Sequence, residues 1–326
     1  MRRKLFLGVL VSALFLYLAL RGMDPAEFTD AFRRVNLWWV GAGVAATMLG
    51  HYVRAWRWQY IMLPIRRVPM EPLWSAVAIS FMVNNLFPAR LGEFVRAYAI
   101  GRSEGVSKSA AFATIVYERV VDVFVILVFL WIVLLKVSGP DWLGQSAVII
   151  ILLNLALLAL LVVMVRYKAA FRRALERATR PLPSRAQNRI VRTSDAFADG
   201  LGVVTDMRAS VPIALTSVLV WGLAALGIYL CFPAMGMDLP PLAALLVIVV
   251  MSIGVMIPSA PAFVGTVQYA CVLALSFYDI GRSDALAYAV VYHATQFFPI
   301  TLVGWYYTWR ASIHISDIPT GGGGRA

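Results

Sequence analysis

The sequence predicts an all-α polytopic integral membrane protein, with about six full transmembrane helices plus two re-entrant hairpins, arranged as two inverted-repeat halves. Three observations predict it. Of its 326 residues 61% are apolar and 14% charged, with a mean hydropathy of +0.77, whereas soluble domains have about 45–50% and about 25%. Apolar runs close to bilayer length follow one another along the chain. A Pro…Gly interruption recurs at corresponding places in two halves, a pattern that membrane transporters place at their substrate sites. The first two observations together make a soluble enzyme, a secreted module and a disordered tail poor readings.

The first run, Leu5–Leu20, follows Arg2-Arg3-Lys4 and lacks a small-x-small cleavage site, so it is expected to stay as a span. Leu37–Val53 opens on Trp38-Trp39, residues suited to the membrane interface. Pro72–Phe87 is short, whereas Ala110–Leu135 and Ser146–Val165 are long enough to cross. After a polar break come Val211–Cys231, Pro241–Ile257, Ala262–Tyr278 and Ala285–Trp309. Lys plus Arg is 29 against 17 acids, a net charge of +12. In a membrane protein such an excess points to cytoplasmic loops and anionic lipid, and no nucleic-acid partner is expected.

Arg166–Arg208 holds ten basic residues against four acids and is placed inside, as are Arg2, Arg3, Lys4 and a cluster of Arg54, Arg57, Arg66 and Arg67. All nine runs crossing would put two of these clusters on opposite faces. The conflict is resolved if Pro72–Phe87 dips in and returns through Phe94–Ile100. Pro241–Ile257 and Ala262–Tyr278 would then form a second hairpin, entered from outside. The expected organisation is one transmembrane domain over 1–326, with halves at about 37–165 and 211–310. A cytoplasmic basic amphipathic segment at 166–208 separates them, and 311–326 is a flexible tail.

The breaks share a sequence. Pro88-Ala89-Arg90-Leu91-Gly92-Glu93-Phe94 aligns with Pro261-Ala262-Phe263-Val264-Gly265-Thr266-Val267 at an offset of 173 residues. A second block, Ala110…Tyr117-Glu118, aligns with Ala285…Tyr292-His293 at an offset of 175. Pro88, Gly92, Pro258, Pro261 and Gly265 are the expected hinge residues.

Ala110–Leu135 carries Glu118, Arg119 and Asp122 within a span. Glu118 and Asp122 share a helical face, and Arg119 can pair with Asp122. Each such charge costs about 2.5–3.5 kcal/mol at a helix centre, so the three must face the bundle interior or water. Either they tie helices together or they line a polar pathway. Arg90 precedes an expected helix start, where backbone N–H groups and a guanidinium together suit a phosphate. Glu93 and Arg96 follow on that helix. Asn84 and Asn85 close the first arm and either satisfy broken backbone or bind. In the second half the matching positions are neutral: His293 for Glu118 and Thr266 for Glu93, with Ser259, Gln268 and Gln296 nearby. His293 either relays protons or is simply hydrogen-bonded. A charged cytoplasmic side and a neutral-polar outer side suit an amphiphile with a charged head.

Ile190, Ser194, Phe197, Leu201 and Val204 space an apolar face along the basic segment, which is expected to lie on anionic lipid or to dock a partner. Cys231 and Cys271 sit singly in apolar runs as packing residues. No nucleotide-binding loop, metal-ligand spacing or nucleophile motif occurs, so no cofactor and no metal are expected.

The run Asn84-Asn85-Leu86-Phe87-Pro88-Ala89-Arg90-Leu91-Gly92-Glu93-x-x-Arg96 carries a resemblance, together with Glu118-Arg119-x-x-Asp122, Pro258-Ser259-Ala260-Pro261 and Gly265. The chain resembles the lysylphosphatidylglycerol synthase transmembrane-region family, the flippase-like domain of the multiple peptide resistance factor, without the C-terminal synthase domain. It departs from that family at Ala262 and Phe263, which stand where glycines are common. The resemblance implies a non-enzymatic lipid translocase of the bacterial cytoplasmic membrane, and the basic clusters with six full spans put both termini inside. The expected partners are membrane lipids: an anionic or aminoacylated phospholipid, or a polyprenyl-phosphate-linked lipid. A homo-oligomer and a separate lipid-modifying enzyme stay open, as does the alternative of an integral-membrane enzyme or accessory partner acting on lipid-linked substrates.

Overall fold

A computed structural model describes residues 2–87, 90–136, 141–257 and 259–310. Pro88 and Pro258, two of the expected hinge residues, and the tail at 311–326 lie outside the described residues. All regular structure among the described residues is helical, as the composition predicts.

Helix α1 (Arg2–Leu20) is followed by α2 (Pro25–Arg33), and Gly8–Leu20 meets α2 at 88°. Helix α2 falls outside every apolar run; Asp24 starts it by accepting the Ala26 and Glu27 N–H groups, with Pro25 in the first turn. Helix α3 (Leu37–Met62) is capped by Asn36 and runs on past Val53. Arg54 and Arg57 are therefore helical and buried. This corrects their placement in a cytoplasmic cluster: the apolar run stops at Val53, but the helix does not.

Next come α4 (Met70–Leu86) and α5 (Gly92–Glu104), the latter ended by Gly105 at φ 67°. Helix α6 (Lys108–Leu134) is capped by Ser107, and α7 spans Asp141–Arg166. The basic segment forms α8 (Lys168–Ala178) and α9 (Ser184–Gly200). The second half contains α10 (Met207–Ala234), α11 (Pro241–Gly254), a 3₁₀ turn at Pro261–Phe263, α12 (Thr266–Leu275) and α13 (Arg282–Arg310).

Among the described residues, Val148–Arg166, Arg208–Ala234, Pro261–Tyr278 and Arg282–Arg310 are long and apolar enough to cross a bilayer. At 26 and 27 residues α3 and α6 have the length as well, at about 1.5 Å per residue. Their ionised side chains lower their hydropathy, and of these Arg54, Arg57, Glu118 and Asp122 are buried.

The helix pairings come in matching sets. Helix α3 packs along α10, α4 on α5 and α13, α11 on α12 and α6, α5 on α6, and α12 on α13. Exchanging α3 with α10, α4 with α11, α5 with α12 and α6 with α13 maps the α3–α10 pairing onto itself and each of the others onto a partner in the set. Two large apolar cores hold the bundle, one centred on α3–α6 with parts of α7, α9 and the start of α10, the other on α10–α13 with the end of α6. Outward-facing residues such as Leu152, Leu153, Val211 and Leu215 are exposed and apolar, as a lipid-facing surface requires.

Helix α9 docks on α6. A Cβ on Gly200 would overlap the Ala110 backbone, and Ser109 Oγ donates to the Thr193 carbonyl at 2.8 Å. The buried positions are Val191, Ala198 and Leu201, whereas Ile190 is exposed. The expected apolar face is thus displaced by one residue at its start, and its buried stripe meets protein rather than lipid.

Candidate functional site

Each break brings left-handed backbone into the bundle. Arg90 has φ 51°, Ala262 and Phe263 each φ 57°, and Gly265 φ 84°. Non-glycine residues adopt this region at a cost of about 1–3 kcal/mol and do so mainly at functional sites. Arg90 and Phe263 are equivalent in the repeat, and they meet: the Arg90 guanidinium lies over the Phe263 ring, 5.4 Å from its centroid. Ala262 and Phe263, the departures from the family pattern, thus adopt the conformation that glycine adopts freely.

Each break also has its backbone satisfied by a side-chain amide. Asn84 Oδ1 accepts the Gly92 N–H at 2.8 Å, and Gln268 Oε1 accepts the Gly265 N–H at 2.7 Å. The start of α5 is therefore capped rather than open at Gly92, contrary to the cradle of free N–H groups expected beside Arg90. Asn85 Nδ2 donates to Thr301 Oγ1 at 2.8 Å, tying α4 to α13. Asn84→Ala should cost about 1–2 kcal/mol by leaving a buried donor unpaired, read as a lowered thermal midpoint of the purified protein in detergent.

The three charges of α6 sit in a larger buried network. Glu118, fully buried, pairs with Arg96 through two parallel bonds at 3.1 and 3.0 Å and with Arg119 at 2.6 Å. Arg57 and Arg54 approach it at 3.2 and 3.4 Å. Asp122 accepts from Arg57 at 2.6 Å, Arg54 at 3.1 Å and Trp221 Nε1 at 2.8 Å, with Arg119 at 3.4 Å. Arg57 also donates to Ser217 at 2.9 Å. The Arg96 guanidinium stacks 3.8 Å from the centroid of Trp58, whose indole N–H donates to Thr114 at 2.8 Å. The network therefore joins α3, α5, α6 and α10. Sequence reasoning missed Arg54, Arg57, Trp58, Ser217 and Trp221. The available signal was the three-residue spacing of Arg54 and Arg57, which puts both on one helical face.

A cavity of about 250 Å³ lies between the two breaks. From the first half it is lined by His51, Ser80, Phe81, Asn84, Asn85, Arg90, Glu93, Arg96 and Arg119; from the second by Met251, Val255, Ala262, Phe263, Val267, Tyr292, His293, Gln296 and Phe297. Of the expected site residues, Asn84, Asn85, Arg90, Glu93, Arg96, Arg119, His293 and Gln296 come together here. Glu118 and Asp122 stand behind this wall with their oxygens taken by arginines. Ser259 is buried beside α1, where a Cβ on Gly8 would approach its carbonyl, and it does not line the cavity. Gln268 stands behind His293. Its Oε1 faces the Gly265 N–H, so its Nε2 donates to His293 Nδ1 at 2.9 Å. At the position equivalent to Glu118 the second half thus has a neutral amide–imidazole pair. Gln296 donates to Thr47 Oγ1 at 2.7 Å. No cluster of metal-ligating side chains occurs among the described residues.

The profile of the lysylphosphatidylglycerol synthase TM region matches residues 5–304. The chain belongs to that family. Its relatives include a UPF0104 membrane protein of Methanothermobacter thermautotrophicus, 25% identical over 303 residues, which are 86% of this chain and 88% of the relative. A UPF0104 membrane protein of Methanocaldococcus jannaschii is 26% identical over 228 residues, 68% of this chain and 91% of the relative. Glycosyltransferase AglD of Haloferax volcanii is 27% identical over 144 residues, 44% of this chain but 23% of that protein. These relatives are archaeal. No solved structure matches the chain. Family and fold together make this a multi-pass membrane protein.

Proposed function

We propose that the chain is a lipid translocase, moving a lipid with a charged, phosphate-containing headgroup between leaflets of the cytoplasmic membrane. The observation that carries this reading is the cavity between two broken helix pairs, walled by arginines on one side and by neutral polar groups on the other. Broken helices that meet at a repeat interface are where transporters hold substrate. Arg90, Arg96 and Arg119 contact the phosphate, Gln296 and His293 face it from the other half, and acyl chains stay in lipid. The basic segments Arg2–Lys4 and Arg166–Arg208 support a reading with both termini inside, by the positive-inside rule. No covalent step is assigned, because Glu118 and Asp122, the buried acids, are occupied by arginines.

The test is reconstitution of the purified protein in liposomes, with leaflet accessibility of labelled lipids as the readout. Arg119→Ala should abolish translocation. Its side chain is 41% exposed toward the cavity, and Arg54, Arg57 and Arg96 still neutralise Glu118 and Asp122 without it, so insertion and folding persist. Unchanged translocation by this variant overturns the role. The partial match to a glycosyltransferase favours a second reading, an accessory or enzyme acting on lipid-linked substrates. That reading expects a changed lipid product rather than a relocated one.

A further inference from the structure

Charge bookkeeping at the cavity narrows the headgroup. Arg90, Arg96 and Arg119 line the cavity, and Arg54 and Arg57 lie in the buried network behind its wall, five arginines in all. Against them stand three carboxylates, Glu93, Glu118 and Asp122. Glu118 and Asp122 are matched by arginines within the network, and Glu93 is the single carboxylate on the cavity wall among the described residues. An excess of two positive charges is left at the site. Arg90 makes no ion pair among the described residues; its guanidinium has the Phe263 ring as its contact.

Hydrogen-bonding capacity is left over as well. The buried Nε atoms of Arg96 and Arg119, two arginines of the cavity wall, have no hydrogen-bond partner among the described residues. Arg96 is 3% exposed. Guanidinium groups are strongly hydrogen-bonding donors that match phosphate oxygens in geometry. The two histidines on the wall do not offset this. His293 Nδ1 accepts from Gln268, and His51 packs on Phe81 at 4.2 Å between ring centroids.

We infer that the cavity is built for a lipid phosphate monoester, and that it selects against headgroups carrying ammonium groups. This rests on the translocase reading for its lipid, but on the charge balance for its selectivity. A phosphate monoester carries about −1.5 to −2 charges at neutral pH, which cancels the excess of two. A diester phospholipid brings a single negative charge and leaves part of the excess uncompensated. A lysyl-esterified diester brings two ammonium groups with its one phosphate charge and raises the excess. In a low-dielectric site such an uncompensated charge is costly.

The experiment measures binding to the purified full chain in detergent by thermal shift and native mass spectrometry. The probes are a polyprenyl phosphate, phosphatidic acid, phosphatidylglycerol, lysyl-phosphatidylglycerol and inorganic phosphate alone. Both lipid monoesters should bind about tenfold or more tighter than phosphatidylglycerol, and lysyl-phosphatidylglycerol should bind weakest. Arg90→Gln should weaken the monoesters by about tenfold, and Glu93→Gln should tighten them, because it removes a negative charge from the wall. Both substitutions lie on the cavity wall outside the buried network, so the variants fold. A polyprenyl phosphate that outbinds phosphatidic acid identifies the isoprenoid source; equal binding shows that the monoester alone is read. Both support the inference. Lysyl-phosphatidylglycerol binding as tightly as the monoesters overturns it, as does weaker monoester binding by Glu93→Gln. Inorganic phosphate binding as well as either lipid overturns the lipid part. Selective monoester binding without leaflet movement sinks the translocase reading and leaves this one standing; leaflet movement without the selectivity does the reverse.

Discussion

Glu118→Gln should destabilise the folded protein by about 3–5 kcal/mol, more than any other single substitution of a charged residue in the bundle. The carboxylate is fully buried and lies within 3.4 Å of four guanidinium groups, those of Arg54, Arg57, Arg96 and Arg119. Glutamine keeps the shape but leaves those four cations facing Asp122 alone. Three helices lose their common counter-ion, because Arg54 and Arg57 belong to α3, Arg96 to α5 and Arg119 to α6. The expected result is a large drop in the thermal midpoint in detergent and a low yield of monodisperse protein. Arg96→Gln added to Glu118→Gln should recover part of the loss, since Glu118 is the carboxylate that Arg96 pairs with and the excess charge falls by one. A single variant with an unchanged midpoint would show that packing, not this network, sets the spacing of α3, α5 and α6.

That network marks the boundary of what the sequence disclosed. Glu118, Arg119 and Asp122 were legible because three charges in an apolar run have no stable place except inside. The helix breaks were legible because Pro and Gly interrupt both halves at one offset. Arg54 and Arg57 were not legible: a run that ends in arginines reads as a span reaching its cytoplasmic loop, and what makes them buried is carboxylates on another helix, more than sixty residues away. The face of α9 was misplaced at Ile190 for a related reason. A short amphipathic helix admits two neighbouring phases, and the choice was made by Ala110 meeting Gly200, a contact that no local pattern encodes. Asn84 and Asn85 showed the converse. Their placement at a break was visible, while their role as partners of Gly92 and Thr301 needed the packing of α4 on α5 and α13.

Gly265→Val should be the most damaging change at the second break, costing about 3–5 kcal/mol through backbone strain and displaced packing acting together. Gly265 has φ 84° and ψ −50°, a region that a β-branched residue does not adopt without strain. Space is missing too: a Cβ there would overlap the Ser12 carbonyl oxygen and come within 3.0 Å of the Leu16 nitrogen. Helix α1 is held against this break by that close approach and by Ser12 Oγ, which accepts the Ala260 N–H at 2.7 Å. The valine would push α1 away and pull the Gly265 N–H off Gln268, which in turn orients His293 toward the cavity. Gly22→Ala supplies the comparison. Its φ is +79° with nothing within 4 Å of the added Cβ, so it should lose only the conformational part, about 1–2 kcal/mol. Unfolding midpoints of the two variants, measured side by side in the same detergent, separate strain from contact. Equal losses would mean that α1 does not support the break. A much larger loss for Gly265→Val means that α1 braces the second break from behind the cavity wall, and that the milder Gly265→Ala should weaken lipid movement before it unfolds the bundle.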